Sequence, residues 1–356
     1  MEHPSATTIG LDVGDKYSQV CILDAWTGEI LEEARIRTTK AGIKHYFAGK
    51  QPAAITLEVG AHSPWISREL IGAGHEVIVA NARKVRLIHA ASRKNDRLDA
   101  EKLARLTRID ARLLSPIQHR SSKAQADLAR IRSRDALVRA RTALVSHVRG
   151  SVKAFGARLP SGSTNAFASK AREHLPAELA PALEPVLDTI EKLTLSIKLM
   201  DKELAALAAE YPSTAVLRQV DGAGLLTTLT FQLVIEDPNR FAKSREVGPF
   251  LGLTPGEHQS GDRDPKRRIT KEGDPLLRRL LVQCAHHILR NKTDSDLKRA
   301  GLRVMRNGGH RSVAVTAIAR KLAVLLHSLW VTGEVYEPLR NHRSQEESGT
   351  ATPATT

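Results

Sequence analysis

Ile9-Gly10-Leu11-Asp12-Val13-Gly14 is an apolar run that ends on a carboxylate and turns at a glycine. A charge placed straight after a core strand must face water or a ligand, because burying it unpaired is costly. The pattern recurs at Ile55-Thr56-Leu57-Glu58-Val59-Gly60. A third acidic stretch, Lys94-Asn95-Asp96-Arg97-Leu98-Asp99-Ala100, opens a predicted helix. Its i, i+3 spacing sets Asp96 and Asp99 on one face. Asp12, Glu58, Asp96 and Asp99 are therefore candidate metal ligands and candidate catalytic residues. Mg²⁺ takes such hard oxygen donors while keeping some of its waters, and a pair of such ions suits hydrolysis or transfer at a phosphodiester. Arg93, Lys94 and Arg97 stand beside the helical acids as candidate phosphate-backbone contacts. Each acid alone has a plainer reading: Asp96 as a helix N-cap, Asp99 as a first-turn acid, Glu58 as a solvated strand end.

Working outward, Thr7 to Leu11, Ser18 to Leu23 and Ile30 to Ile36 are β-branched runs, the last two separated by a turn at Asp24 to Glu29. A helix from Lys40, a strand from Ala54 to Glu58, a helix from Ser63 to Ile71 and a strand from Glu76 to Ala80 follow. Three antiparallel strands and then alternating α and β give the order of a ribonuclease-H-like (RuvC-like) sheet, predicted over residues 1–115. From Ser121 the texture is long helix. Val186, Ile190, Leu193, Ile197, Met200, Leu204 and Leu207 hold the alternating four-three spacing of a coiled-coil seam, which predicts either an antiparallel hairpin or a dimer contact. The expected organisation is α/β plus all-α: the sheet domain, a helical coiled-coil middle over 116–212, a helical C-terminal domain over 213–342, and a disordered polar tail over 343–356.

The chain has 356 residues and a formal net charge of +15, from 54 Lys and Arg against 39 Asp and Glu. That balance favours a polyanionic partner over none. Cys21 and Cys284 lie in apolar stretches and are expected as buried thiols in a reducing compartment. The N-terminus lacks a basic and apolar leader, and no apolar run reads as long enough to span a bilayer. A cytoplasmic protein without a membrane partner is expected.

A second constellation runs from Glu257 to Gly273: His258-Gln259-Ser260-Gly261-Asp262-Arg263, then Lys266-Arg267-Arg268-Ile269-Thr270-Lys271, then Leu276-Leu277-Arg278-Arg279-Leu280 on a helix. It reads as a phosphate-gripping loop hinged at Gly261 and Gly273, with Lys266, Arg267, Arg268, Lys271, Arg278 and Arg279 as candidate nucleic-acid contacts. Upstream, Val220-Asp221-Gly222-Ala223-Gly224-Leu225 is a small-residue turn of the kind that offers backbone N–H groups to phosphate. The acid pattern, the long helical middle and the Ser-Gly…Arg-Ile-Thr-Lys-x-Gly…Leu-Arg-Arg-Leu segment together resemble one family. It is the bacterial insertion-sequence transposases with a DEDD, RuvC-like N-terminal domain and a separate C-terminal transposase domain. The resemblance covers nearly the whole chain apart from the tail.

That resemblance implies more than the spacing does. Asp12, Glu58, Asp96 and Asp99 match the family's four metal-binding acids, and Ser260 its C-terminal serine, implicated as a nucleophile that links protein to DNA. It further implies a composite centre formed between subunits in a homodimer or homotetramer, donor and target DNA as substrates, a structured guide RNA encoded by the element, and nucleoid association during the reaction. Other readings compete. A RuvC-like nuclease or junction resolvase would use the same acids without Ser260. An actin-like-fold phosphotransferase would also carry Leu11-Asp12-Val13-Gly14, but it needs a second Asp-x-Gly turn that the sequence lacks. A tyrosine recombinase would draw on His310, Arg311, His327 and Tyr336. A non-catalytic binding protein is disfavoured by an aromatic content of 4%, too sparse for a stacking platform.

Overall fold

The computed structural model describes residues 6–81, 95–256 and 267–341, and the chain divides into two compact units, Met1–Arg120 and Ser121–Thr356. Among the described residues the first unit is built on five strands: β1 (Thr7–Val13), β2 (Tyr17–Asp24), β3 (Ile30–Arg37), β4 (Ala54–Glu58) and β5 (Glu76–Ala80). Their order across the sheet is β3-β2-β1-β4-β5. The first three are antiparallel neighbours joined by short turns, whereas β1, β4 and β5 run parallel. Parallel neighbours need a crossover, and helices α1 (Lys40–Phe47) and α2 (Ser63–Gly72) supply it.

Strand alternation sorts the two faces. Ile9, Leu11, Val20, Ile22, Ile55 and Leu57 join Ile43, Phe47, Ile66 and Leu70 in one core, so α1 and α2 cover that face. The opposite face carries Cys21 and Leu23, packed with Ala100 and Ala104 of α3 (Asp96–Asp110). Gly10 lies under α3 so tightly that a Cβ there would collide with the Ala100 carbonyl and stand 2.7 Å from the Ala104 nitrogen. Thr56 and Thr107 hydroxyls meet at 2.6 Å across the same interface. At the far end Arg108 donates to the Ala25 carbonyl at 3.0 Å and the Trp26 carbonyl at 2.7 Å. These anchors set α3 antiparallel to β1, with its first turn toward the C-terminal ends of β1 and β4.

The second unit opens with α4 (Ser122–Lys153), followed by α5 (Phe167–Arg172) and α6 (Ala180–Leu207). Helices α4 and α6 pack antiparallel: Lys123 pairs with Glu210, Arg134 with Asp201, and Arg141 donates to Thr194. The expected seam is half right. Ile190, Ile197, Leu204 and Leu207 are buried, but Leu183, Leu187 and Thr194 are buried with them, while Val186 and Leu193 sit half-exposed. The stripe widens because this helix also packs on α5 and the loop around Leu159. The remainder comprises α7 (Ser213–Leu217), α8 (Leu225–Ile235), α9 (Val247–Phe250), α10 (Pro275–Arg290), α11 (Asp296–Arg306) and α12 (Arg311–Thr332). The ends of the hairpin, at Leu128, Ile131, Leu204 and Leu207, belong to the same core as α8, α10 and α12. Cys21 and Cys284 are both buried and unpaired, and burial pushes both thiols above their ordinary range. Helix α12, at 22 residues, is long and apolar enough to cross a membrane, contrary to the sequence expectation. Its stripe from Ala314 to Leu329 is instead buried in this core.

Candidate functional site

Asp12 and Glu58 occupy corresponding places on neighbouring parallel strands, each one residue beyond the paired Leu11 and Leu57. Alternation puts Asp12 on the same face as Gly10, and Glu58 on the same face as Thr56, so both carboxylates project on the side crossed by α3. Registered parallel strands lie about 4.8 Å apart, which leaves the two acids side by side, both half-buried.

Asn95, not Asp96, caps α3: its side chain accepts from the Arg97 nitrogen at 3.1 Å. Asp96 is thereby released from the capping role and stands exposed in the first turn. Asp96 precedes Ala100 by four residues, about 6 Å along a helix. Asp12 lies two residues beyond Gly10, about 6.6 Å along a strand. The two acids therefore come to the same level of the sheet. Asp99 is half-buried and pairs with Lys102 Nζ at 2.9 Å. Arg97, expected to hold phosphate, turns across the sheet to a two-pronged ion pair with Glu33. That partner on β3 is not legible from local sequence, whereas Lys102's hold on Asp99 is signalled by its i, i+3 spacing.

The same sheet edge gathers two groups that sequence reasoning passed over. Asp15 follows β1, His62 follows β4, and their Oδ1 and Nε2 stand 3.4 Å apart. Trp65 Nε1 donates to His62 Nδ1 at 3.1 Å, which leaves Nε2 to carry the proton toward Asp15. The only signal was position, each lying a few residues past a strand-ending acid.

By donor chemistry the four acids suit a hard divalent ion, since they offer carboxylate oxygens and nothing soft. By distance the shell is open: among the described residues no three His, Cys, Asp or Glu side chains stand close enough to share one ion. The strands bring together Asp12 and Glu58, and α3 delivers Asp96 and Asp99 to the same edge without closing on them.

In the second unit the basic constellation is a hairpin stem. Thr270 donates its N–H to the Thr254 carbonyl at 3.0 Å, Gly256 to Arg268 at 3.1 Å, and Lys271 to Gly252 at 3.1 Å. Arg267, Arg268 and Lys271 project from it exposed. Lys271 holds a φ of 58°, in the left-handed region, opposite Gly252 at 64°; a Cβ on Gly252 would stand 2.8 Å from Lys271 Cα. Gly273, expected as a hinge, is instead a close-packing position, where a Cβ would lie 2.5 Å from Leu251 Cα. Ser260, Gly261 and Lys266, like Arg93 and Lys94 in the first unit, lie outside the described residues. Arg278 and Arg279 also make contacts within the protein, Arg279 with its side chain exposed. Arg278 donates to the Leu251 and Gly273 carbonyls at 3.0 and 3.1 Å, and Arg279 pairs with Asp135 on α4. The Val220–Leu225 turn docks on the end of α10, where Asn291 bonds Asp221 at 2.5 Å and Ala223 N–H is taken by Val220. His327, a candidate under the tyrosine-recombinase reading, is buried between Ser244 and the Pro238 carbonyl, at 3.0 and 2.8 Å.

Known proteins align with both regions. Residues 9–155 match a family model of DEDD transposases of the IS110 type, described as "Transposase". Residues 214–300 match "Transposase IS116/IS110/IS902 family". The chain is 28% identical over 344 residues to the transposase for insertion sequence element IS1111A of Coxiella burnetii, covering 92% of this chain and 90% of that one. It is likewise 28% identical over 341 residues to the transposase for IS1328 of Yersinia enterocolitica, covering 94% and 99%. A probable family 20 transposase of Pseudomonas aeruginosa is 27% identical over 340 residues, covering 93% and 98%.

Proposed function

From the premise that this chain belongs to the IS110/IS116 family of transposases, we propose that it cuts and rejoins DNA at the ends of an insertion element and at a target. The work is divided between a carboxylate site in the first unit and Ser260 in the second. The observation that carries this reading is the placement of Asp12 and Glu58 one residue beyond the paired Leu11 and Leu57 of adjacent parallel strands, on the face that α3 crosses with Asp96 and Asp99 in its first turn. The sheet order is that expected of a ribonuclease-H-like, RuvC-like domain and supports that assignment.

Asp12, Glu58, Asp96 and Asp99 are the residues that would hold Mg²⁺. When bound, the ion supplies Lewis-acid polarisation of a phosphoryl oxygen. The remaining chemistry belongs to the chain. The Ser260 hydroxyl forms a new O–P bond as the strand's P–O bond breaks, and the released DNA hydroxyl carries off the proton. The linkage keeps the phosphoester for rejoining, when a DNA hydroxyl attacks and Ser260 leaves. Arg267, Arg268 and Lys271 on the hairpin stem offset the charge that builds on the phosphate. The reaction takes place in the cytoplasm on donor and target DNA, in an oligomer, with an element-encoded RNA as guide.

Asp12→Asn is expected to abolish cleavage while leaving nucleic-acid binding intact, read by strand cleavage and gel shift on element-end DNA. Ser260→Ala is expected to lose the denaturant-resistant protein–DNA adduct. An adduct that persists in the Ser260→Ala protein would refute the nucleophile. Cleavage that persists in that variant without any adduct would establish the resolvase-like nuclease instead. Sequencing the nucleic acid that co-purifies from cells carrying the flanking DNA tests the guide, and only heterogeneous host RNA would count against it.

A further inference from the structure

The second unit contains a groove of about 930 Å³ along α12, outside the carboxylate site and beyond the arginines already considered. One end abuts the hairpin stem. A Cβ on Gly248 would stand 3.1 Å from Arg320 Cγ and 3.8 Å from Thr254 Cγ2, so Arg320 lies against the stem's first residues. Thr254 is bonded to Thr270, next to Lys271 and two residues from Arg268. Lys321 follows Arg320 on α12, and Arg245 stands on the wall opposite. None of these three cations has an ion-pair partner among the described residues, whereas Arg132, Arg134, Arg172 and Arg279 in the same unit all do. Glu246 stands beside them, and Asp296, Glu337 and Arg340 also line the groove. The groove also carries apolar surface, from Leu325, Leu329 and Val335, the last 75% exposed. Tyr336 presents a half-buried ring there.

Cations together with apolar and aromatic surface match the two halves of a nucleotide. Phosphate is held by Arg and Lys, and the base and sugar by a ring and aliphatic surface. A pocket of several hundred cubic ångströms accepts a ligand of that size. We propose that this groove binds unpaired DNA nucleotides flanking the cut, with backbone phosphates at Arg245, Arg320 and Lys321 and a base against Tyr336 and Leu325. The proposal rests on the reading of the second unit as the strand-transfer unit. Its consequence is that the stem does not receive DNA alone: the strand leaving the stem continues into α12, which fixes the polarity of the cut.

The test compares binding of the full-length protein to an element-end duplex with and without a short single-stranded DNA flank. Arg320→Gln/Lys321→Gln is expected to weaken binding of the flanked DNA by roughly tenfold at low salt and to leave the blunt duplex unchanged. A photoreactive thymidine analogue in the flank is expected to crosslink to the peptide containing Tyr336. Equal weakening on both substrates would overturn the proposal, as would a crosslink there from RNA but not from DNA. Adduct formation by the wild-type protein is scored in parallel. Adduct without flank dependence sinks the groove alone, whereas flank-dependent binding without adduct upholds the groove and sinks the serine chemistry.

Discussion

Gly10 controls how near α3 can approach the sheet, because the Ala100 carbonyl occupies the space a methyl group would need. Gly10→Ala is expected to destabilise the first unit by about 1–3 kcal/mol through overpacking, read as a lower midpoint in urea. It also lifts Asp96 and Asp99 from the strand pair, so cleavage should fall further than the stability loss explains. A variant of wild-type stability would contradict the close packing. The sequence makes Asp12 visible, because a charge after an apolar run breaks a pattern. It hides Gly10's role, since a glycine in a strand looks the same whether it faces solvent or a helix backbone. Glu33 is hidden for a related reason: it acts by contact with Arg97, a residue whose nearness depends on the fold.

Among elements, α3 depends on its cap. Asn95 satisfies the Arg97 N–H, and Asn95→Ala is expected to cost about 1 kcal/mol. The first turn would fray, and with it the placement of Asp96 and Asp99. Cleavage should therefore drop several-fold while α3's C-terminal anchor at Arg108 keeps the unit folded, which circular dichroism and a cleavage assay together would check. An unchanged rate would mean that this turn does not position the acids. The strands and long helices were legible from periodicity to within a few residues. Helix α11 was not, because Gly301 interrupts its pattern; that glycine lies where a Cβ would meet Ile318 Cγ1 at 2.9 Å, so the helix is fixed by packing on α12 rather than by propensity. The coiled-coil register failed at Leu187 and Thr194 because a seven-residue repeat presumes one partner helix, and α6 packs against two neighbours.

At the scale of the molecule, sequence texture separates a helical middle from a C-terminal region. In the second unit, one end of the α4–α6 hairpin joins the C-terminal helices in a single core, while its other end keeps a core of its own with α5. A contact network closes that unit where α4 begins. Burial pushes the Asp127 carboxyl up, but hydrogen bonds from Tyr211 at 2.6 Å and Lys123 at 2.9 Å outweigh it, and the group ends below the ordinary carboxylate range. A carboxylate depressed in the folded state adds stability above its unfolded value, near 3.9, and loses it as pH falls through the folded one. Asp127→Asn should therefore flatten the dependence of stability on pH below about 4 relative to wild type, read as urea midpoints across an acid series; parallel slopes would refute the linkage. In the first unit, β1 lies beneath a helix that the ribosome makes only after four more strands. Until residue 110 has emerged, the strand face bearing Gly10 and Asp12 has no cover, and such chains invite chaperones. A chain that stops before α3 carries Asp12 and Glu58 without Asp96 and Asp99, so under the proposed function an interrupted product should bind DNA without cutting it.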